Sequence, residues 1–437
     1  MTQPDPSPLA RVAKVEPDET PAVMTAFFLF FCVLGGYFAV RPVRETVGTI
    51  LGAERVADLF LVTWVASIAI VPIYGALCAR FRRSAFLPWI YAFVAVALVI
   101  CSLTLRNEEG SVAMSRFFFV FISVLNLFVV SVFWSFLLEL FNPGQTKRLF
   151  GVIAAGGTAG ALIGPFVTSL VVGRIGNAGI LLMGASLFGV AIVLQRVLLT
   201  IGERRKWSTS ASAVPLDRPM GGNPLAGFSL LFKSRYLLGI ALFVVLLASV
   251  NTLLYFEQLR VVSATFTETA DRTRAFSRLD YTVQSLTILS QLLITGRLAS
   301  RFGVVVLLTA VPLAMVGGFL ALAATGTFGV LALVMVTRRV GEYAFVRPGR
   351  EMLFSRVDTE TKYKAKNLID VPVYRGGDAL SAQVDKAINA SGLGAGAVAV
   401  LGACLALAWA FNGFLVGRSH KEATNPTGQA GAAFGTE

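Results

Sequence analysis

Apolar runs long enough to cross a bilayer recur along this chain, and no other feature restricts its fold as severely. Val304 to Val336 contains no charged residue, and neither does Ala387 to Val416. A hydrocarbon core of about 30 Å takes about 20 helical residues. Runs of that order stand at about residues 23–43, 58–78, 86–105, 112–138, 149–173 and 178–200. A second series stands at about 236–258, 279–299, 304–325, 328–354, 369–390 and 394–416. The pattern predicts an all-α polytopic membrane protein of about twelve transmembrane helices in two sets of six. A transmembrane barrel is excluded, because its strands would alternate between lipid-facing and lumen-facing residues instead of running unbroken.

Composition agrees: 55% of residues are hydrophobic and 14% charged, where an ordinary globular chain has about 25% charged. Mean hydropathy is +0.72. The net charge of +13 would suggest nucleic acid in a soluble protein. In a membrane protein it reads as Lys and Arg retained on the cytoplasmic side, so no nucleic-acid partner is expected. Cys32, Cys78, Cys101 and Cys404 all lie inside apolar runs, and His420 is the only histidine. Neither a disulfide framework, a metal site nor a cofactor is expected. No G-x-x-x-x-G-K-[ST] loop is present, which argues against an ATP-driven pump. The chain reads as a transporter and not an enzyme. Its polar, Pro-rich start is no signal peptide.

The expected organisation is a tail over 1–22, a six-helix bundle over 23–200, a basic linker over 201–235, a second bundle over 236–416 and a tail over 417–437. Arg80, Arg82, Arg83, Lys147, Arg148, Arg204, Arg205 and Lys206 fall on one side of the spans, joined by Lys362, Lys364, Lys366, Arg418 and Lys421. That bias places both termini in the cytoplasm. The halves echo one another. Gly75-Ala-Leu-Cys-Ala-Arg80-Phe81 returns as Gly296-Arg-Leu-Ala-Ser-Arg301-Phe302, an offset of 221 residues. With a short gap, Gly156-Gly157 returns as Gly376-Gly377. Repeats of six spans are the mark of a two-bundle transporter with its site near the repeat interface. Gly156, Gly157 and Gly160 read as close helix packing.

The segment GxxxARFRR resembles the G-x-x-x-D-R-x-G-R-R loop of the major facilitator superfamily, with Ala79 where that family carries Asp. The resemblance implies that superfamily's fold and transport by alternating access.

Charge reappears inside the spans in two places. Tyr37, Arg41, Arg44 and Glu45 close the first span, and Tyr343, Arg347, Arg350 and Glu351 repeat the pattern in the tenth. At about 100° per residue, Arg339, Tyr343, Arg347 and Arg350 fall within about 80° of one another. In the eleventh span, Asp370, Tyr374, Asp378, Ser381 and Asp385 also share one face. Charges facing lipid at mid-bilayer cost about 2.5–3.5 kcal/mol each on insertion scales, so these stripes must face protein or water. Pro42 and Pro348 each remove a helix hydrogen bond, which would leave the carbonyls of Phe38 and Ala344 without a donor. Guanidinium groups offer forked donors suited to phosphate or carboxylate oxygens. The candidate solute-binding residues are therefore Arg44, Arg350, Arg41, Arg347, Arg339, Tyr37, Tyr343 and Tyr374. Candidates for coupling or gating are Glu45, Glu342, Glu351, Asp378, Arg375, Glu257 and Asp280, with Arg375 and Asp378 a local pair. Direct solute contact and ion-pair latching both remain open for the arginines.

The stretch RPGREMLFSRVDTETKYKAKNLIDVPVYRGGD resembles the matching segment of the ATP/ADP translocase (nucleotide transporter) family, and more closely that family's relatives in free-living bacteria. The family pattern is P-x-K-E-M followed by D-x-E-x-K-x-K-x-K-x-x-I-D. Arg350 stands on its first lysine, Glu351 and Met352 match, and Lys362, Lys364, Lys366 and Asp370 continue the match. In the first span Arg41, Arg44 and Glu45 fall on the family's R-D-x-K-D, with Pro42 in place of an aspartate. The resemblance implies an ATP:ADP-type antiporter; a monomer in a bacterial inner membrane is expected. Its solute would be a small phosphorylated anion such as a nucleotide. The alternative is a proton-coupled carrier of a carboxylate, lipid-linked or drug-like compound, with the arginines as latches.

Overall fold

The computed structural model describes residues 15–80, 83–104, 112–204, 231–232, 234–357 and 365–424. Expectations for residues 1–14, for most of the linker over 201–235, for the tail beyond 424, and for Phe81, Arg82, Lys362 and Lys364 lie outside them. Among the described residues every regular element is helical. The elements are α1 (Thr20–Leu51), α2 (Ala53–Arg80), α3 (Arg83–Thr104), α4 (Val112–Leu140) and α5 (Pro143–Arg204). Then come α6 (Arg235–Thr265), α7 (Thr269–Ser290), α8 (Gly296–Thr325), α9 (Phe328–Gly341), α10 (Arg347–Leu353), α11 (Tyr374–Ala390) and α12 (Gly394–Thr424). Seven of the described helices are long and apolar enough to span a membrane by length and composition: α1, α3, α4, α5, α6, α8 and α12. α7 falls outside that set because it carries charges; α9 and α11 are each cut short by a π turn.

α5 is two spans joined at Gly176 (φ 65, ψ −180), and α8 has a similar joint at Gly303 (φ 71, ψ −175). That backbone conformation is open in practice only to glycine. A Cβ would meet nothing within 4 Å at either position, so backbone geometry, not space, requires the residue. The joint folds α5 back on itself. Gly164 and Gly184 both lie against residues 35–40 of α1, whereas a straight helix would hold them about 30 Å apart.

The chain forms two compact units. Unit 1 holds α1, the second part of α2 from Ala69, α3, α4, α5 and the start of α7 through Tyr281. Unit 2 holds Gly52–Ile68, α6 and the described residues from Thr282 onward.

In unit 1, α1 and α5 meet backbone to backbone. A Cβ on Gly156, Gly160 or Gly164 would sit 2.2 Å from Phe27 O, 2.4 Å from Phe31 O or 2.6 Å from Gly35 O. Small residues at this spacing let helices approach closely and pack without polar side chains. Thr168 Oγ1 donates to Ala39 O at 3.1 Å, extending the seam by one more turn. Buried Glu19 accepts hydrogen bonds from Gln145 and Arg148, fixing the start of α1 to the start of α5. At the other end, Thr46 and Thr273 share a hydrogen bond of 2.6 Å, Thr273 donates to Asn177, and Arg272 donates to Thr49. Trp134 packs among Phe30, Phe133 and Phe150, so its aromatic neighbourhood is packing.

In unit 2, α6 and α11 occupy the equivalent places in the repeat, reached by the same offset of 221 residues. A Cβ on Gly377 would lie 3.1 Å from Ala248 Cβ, repeating the approach of Gly156 to Phe27. Close approach thus identifies Gly377, not Gly376, as the partner of Gly156. The next positions differ in kind. Where unit 1 has Gly160 and Gly164, unit 2 has Ser381 and Asp385; where α1 has Ala39, α6 has Arg260. The stretch Gly52–Ile68 is also tied in by polar contacts: Trp64 Nε1 to Pro372 O at 3.1 Å, Gln383 to Ala57 O at 3.0 Å, and Lys386 to Asp58 at 2.7 Å.

Candidate functional site

Two π turns shape the charged region of unit 2. Over Glu342–Val346 the helix register lengthens, so that Arg347 N–H bonds to Glu342 O, five residues back. In that register the carbonyl that Pro348 leaves without a donor is Tyr343 O, not the Ala344 O expected for an uninterrupted α-helix. Gln291 Nε2 supplies the missing donor at 3.3 Å. The same turn breaks the expected stripe of Arg339, Tyr343, Arg347 and Arg350, because a π turn holds more residues than an α turn and slips the phase. Before the turn, Arg338 and Arg339 are 8% and 5% exposed; beyond it, the Arg347 side chain is 56% exposed and stacks on the Tyr343 ring at 4.5 Å. A second π turn, Ile369–Val373, contains Pro372 and bonds Tyr374 N–H to Ile369 O.

Around these turns a network closes. Arg338 donates to Asn251 Oδ1 and, at 3.1 Å, to Glu342 Oε2. The Asn251 amide donates to Glu342 at 3.3 Å and to Tyr374 Oη at 3.2 Å. Arg347 reaches the other Glu342 oxygen at 3.6 Å. One helix turn further along α11, Asp378 accepts from Thr252 at 2.9 Å and lies 3.6 Å from Arg375. Arg338, Arg339, Arg347 and Arg375 against Glu342 and Asp378 leave a formal surplus of two positive charges. Arg350 is held separately by Asp370 at 3.1 Å, Glu351 by Lys366 at 2.6 Å, and Glu257 by Arg260 at 3.2 Å.

Unit 1 carries a smaller cluster. Arg44 pairs with Glu45, donates to Ser123 at 3.1 Å and lies over the Phe119 ring at 5.2 Å. Arg41 pairs with Asp280 at 3.6 Å and with Glu45 at 3.7 Å. Tyr37 is buried edge-on against Phe38. Two arginines face two carboxylates, so this cluster is formally neutral.

Sequence reasoning missed Arg338, which stands on α9 just before the π turn and is buried there beside Arg339. It also missed Arg260, which stands at the end of an apolar run and reads as an interfacial charge. Asn251, an isolated amide in an apolar run (VVLLASVNTLLYF), and Asp385, on the polar face of α11, were legible as polar positions without an assigned role. Among the described residues no group of three or more His, Cys, Asp or Glu side chains is placed to hold a metal ion.

Charged networks thus lie among the helices of this polytopic chain. The family model described as Major Facilitator Superfamily matches residues 23–349, and the chain belongs to that superfamily. It is a multi-pass membrane protein of the secondary-transporter type, carrying a small-molecule solute. Solved structures agree on the fold. The nucleoside transporter NupG aligns with a TM-score of 0.65 at 17% identity, covering 92% of this chain and 99% of that one. The POT family transporter PepTSo aligns at 0.63 and 13% identity, covering 92% and 98%. A bacterial homologue of the lysosomal transporter Spinster aligns at 0.60 and 15%, covering 93% and 98%. No curated protein matches the sequence.

Proposed function

We propose that this transporter carries an anionic, phosphorylated, nucleotide-like solute across a bacterial inner membrane by alternating access, with both termini cytoplasmic. Residues 23–200 and 236–416 would be the moving halves. The observation that carries the reading is the surplus of guanidinium groups in unit 2, two of them buried (Arg338 and Arg339). Arg338 and Arg347 share Glu342, with Arg339 buried beside them. Charge left over in a low-dielectric interior is stabilised by an anion that arrives with the solute. Arg347, half exposed and stacked on Tyr343, presents its fork to that anion, and Tyr343 and Tyr374 supply ring and hydroxyl around it. Arg41, Arg44, Arg339 and Arg350 complete the set of anion ligands, and Tyr37 lines the unit 1 cluster. Glu45, Asp280, Glu342, Glu351, Asp378, Arg375 and Glu257 exchange partners as the cycle proceeds. The resemblance of residues 347–378 to ATP/ADP translocases supports a nucleotide, and the NupG likeness of fold is compatible with one.

A second reading retains the transporter and makes the arginines latches for a different solute. It is favoured by one observation: Arg44 and Arg350 are each closed by a carboxylate, Glu45 and Asp370. Uptake of labelled ADP into proteoliposomes, with and without ADP loaded inside, separates the two. Counterflow supports the nucleotide reading. Absence of uptake by correctly inserted protein favours the second.

A further inference from the structure

We propose that the α6–α11 seam of unit 2 is a proton path, with Asp385 the entry group and Asp378 the group whose protonation couples to transport. The inference rests on the transporter reading above but not on the nature of the solute.

The argument starts from what packing requires. In unit 1 the equivalent seam is closed by Gly156, Gly160 and Gly164 against backbone. Helices at this place in the repeat therefore close along these three turns without ionisable side chains. Unit 2 keeps one of the three glycines, Gly377, and fills the others with Ser381 and Asp385. Ionisable groups inside a membrane bundle are expensive, and chains of them mark ion and proton pathways.

The groups form a file. Asp378, Ser381 and Asp385 stand three and four residues apart on one face of α11, so about 10 Å of helix separates the two carboxylates and Ser381 divides it. Ser381 Oγ donates to Ser249 Oγ at 2.8 Å, and Ser249 to Val245 O at 2.9 Å. Asp385 is 1% exposed. Its Oδ2 accepts from Arg260 and Asn389, whereas its buried Oδ1 has no hydrogen-bond partner. That oxygen takes a proton without displacing any hydrogen bond. Passing the proton to Asp378 restores the Asp385 carboxylate and its pair with Arg260. At Asp378 the proton weakens the 3.6 Å contact with Arg375, which releases a guanidinium beside the anion-binding network.

The charged groups around the file are few. Asp378 faces Arg375 on its own helix, Thr252 on α6, and Arg338 and Glu342 from α9 and the π turn. Asp385 faces Arg260 and, through it, Glu257 on α6. Lys386, the next residue on α11, is engaged with Asp58. α12, also against α11, brings no charged residue between Gly394 and Val416.

The test is infrared difference spectroscopy of the reconstituted full chain, titrated from alkaline to acid buffer, on wild type, Asp378→Asn, Asp385→Asn and the conservative Asp378→Glu. The expected result is a protonated-carboxyl band that is lost in Asp378→Asn, returns shifted in Asp378→Glu and is perturbed in Asp385→Asn. A band unchanged in Asp378→Asn and Asp385→Asn overturns the proposal, and so does the lack of any such band in wild type. A second arm uses labelled ADP: accumulation driven by an imposed proton gradient is lost in Asp378→Asn. If ADP is not transported at all, the nucleotide reading fails and the infrared arm still decides the proton path.

Discussion

The same pair of spans, the first with the fifth and the seventh with the eleventh, is packed in two different ways. In unit 1 the middle of the pair is dry: glycines of α5 press on backbone oxygens of α1. In unit 2 the pair is wet with side chains: Thr252 on Asp378, Ser381 on Ser249, Arg260 on Asp385. The fold tolerates either solution, so the polar one is not imposed by architecture. Its cost has to be met by function, and unit 2 also holds the surplus of positive charge. The unit 1 cluster of Arg41, Arg44, Glu45 and Asp280 balances its own charges.

That contrast can be broken by substitution. The largest effect is expected at Arg338. Arg338→Met removes the nearest cation from buried Glu342, leaving it Arg347 at 3.6 Å and the Asn251 amide at 3.3 Å, which costs about 3–5 kcal/mol. Adding Glu342→Met should restore most of the loss, because a buried pair can be replaced by apolar groups at little net cost. Thermal unfolding in detergent reads both, and a double variant no more stable than Arg338→Met would show that the pair does not govern the network. Gly160→Ala comes next. Its Cβ would meet Phe31 O at 2.4 Å and Gly35 N at 2.8 Å, so α1 must move away, at about 1–3 kcal/mol. The equivalent change in unit 2, Ser381→Gly, makes no clash and should cost less; equal losses would erase the distinction between the seams. Gly303→Ala, in open space but at φ 71, should cost about 1–3 kcal/mol through backbone strain alone. Lys386→Met is expected to be smallest. Its partner Asp58 is 56% exposed, and exposed pairs contribute about 0–1 kcal/mol.

The membrane fold was legible because bilayer thickness, apolar run length and the 221-residue echo all bear on one quantity, the number of spans. Gly156 and Gly160 were legible as packing for a related reason: small residues four apart leave little else to do. The candidate site was only partly legible. A wheel at about 100° per residue assumes an uninterrupted α-helix, and the π turns at Glu342–Val346 and Ile369–Val373 violate that assumption where the charges lie. Pro348 and Pro372 were visible in the sequence, but a proline does not say whether the helix will bend or widen its register. Arg338 was therefore passed over for its neighbour Arg339. Asp385 was visible as polar, but its pairing with Arg260 depends on how α6 meets α11, which no local pattern encodes.

The central claim is that the guanidinium surplus of unit 2 holds the solute's anion. The most direct test is ADP counterflow in proteoliposomes with Arg347→Ala beside Arg41→Ala, both checked for insertion and thermal stability. The account predicts that Arg347→Ala keeps wild-type stability, since its side chain is half exposed, and loses counterflow, while Arg41→Ala retains part of it. Counterflow undiminished in a folded Arg347→Ala protein would contradict the account.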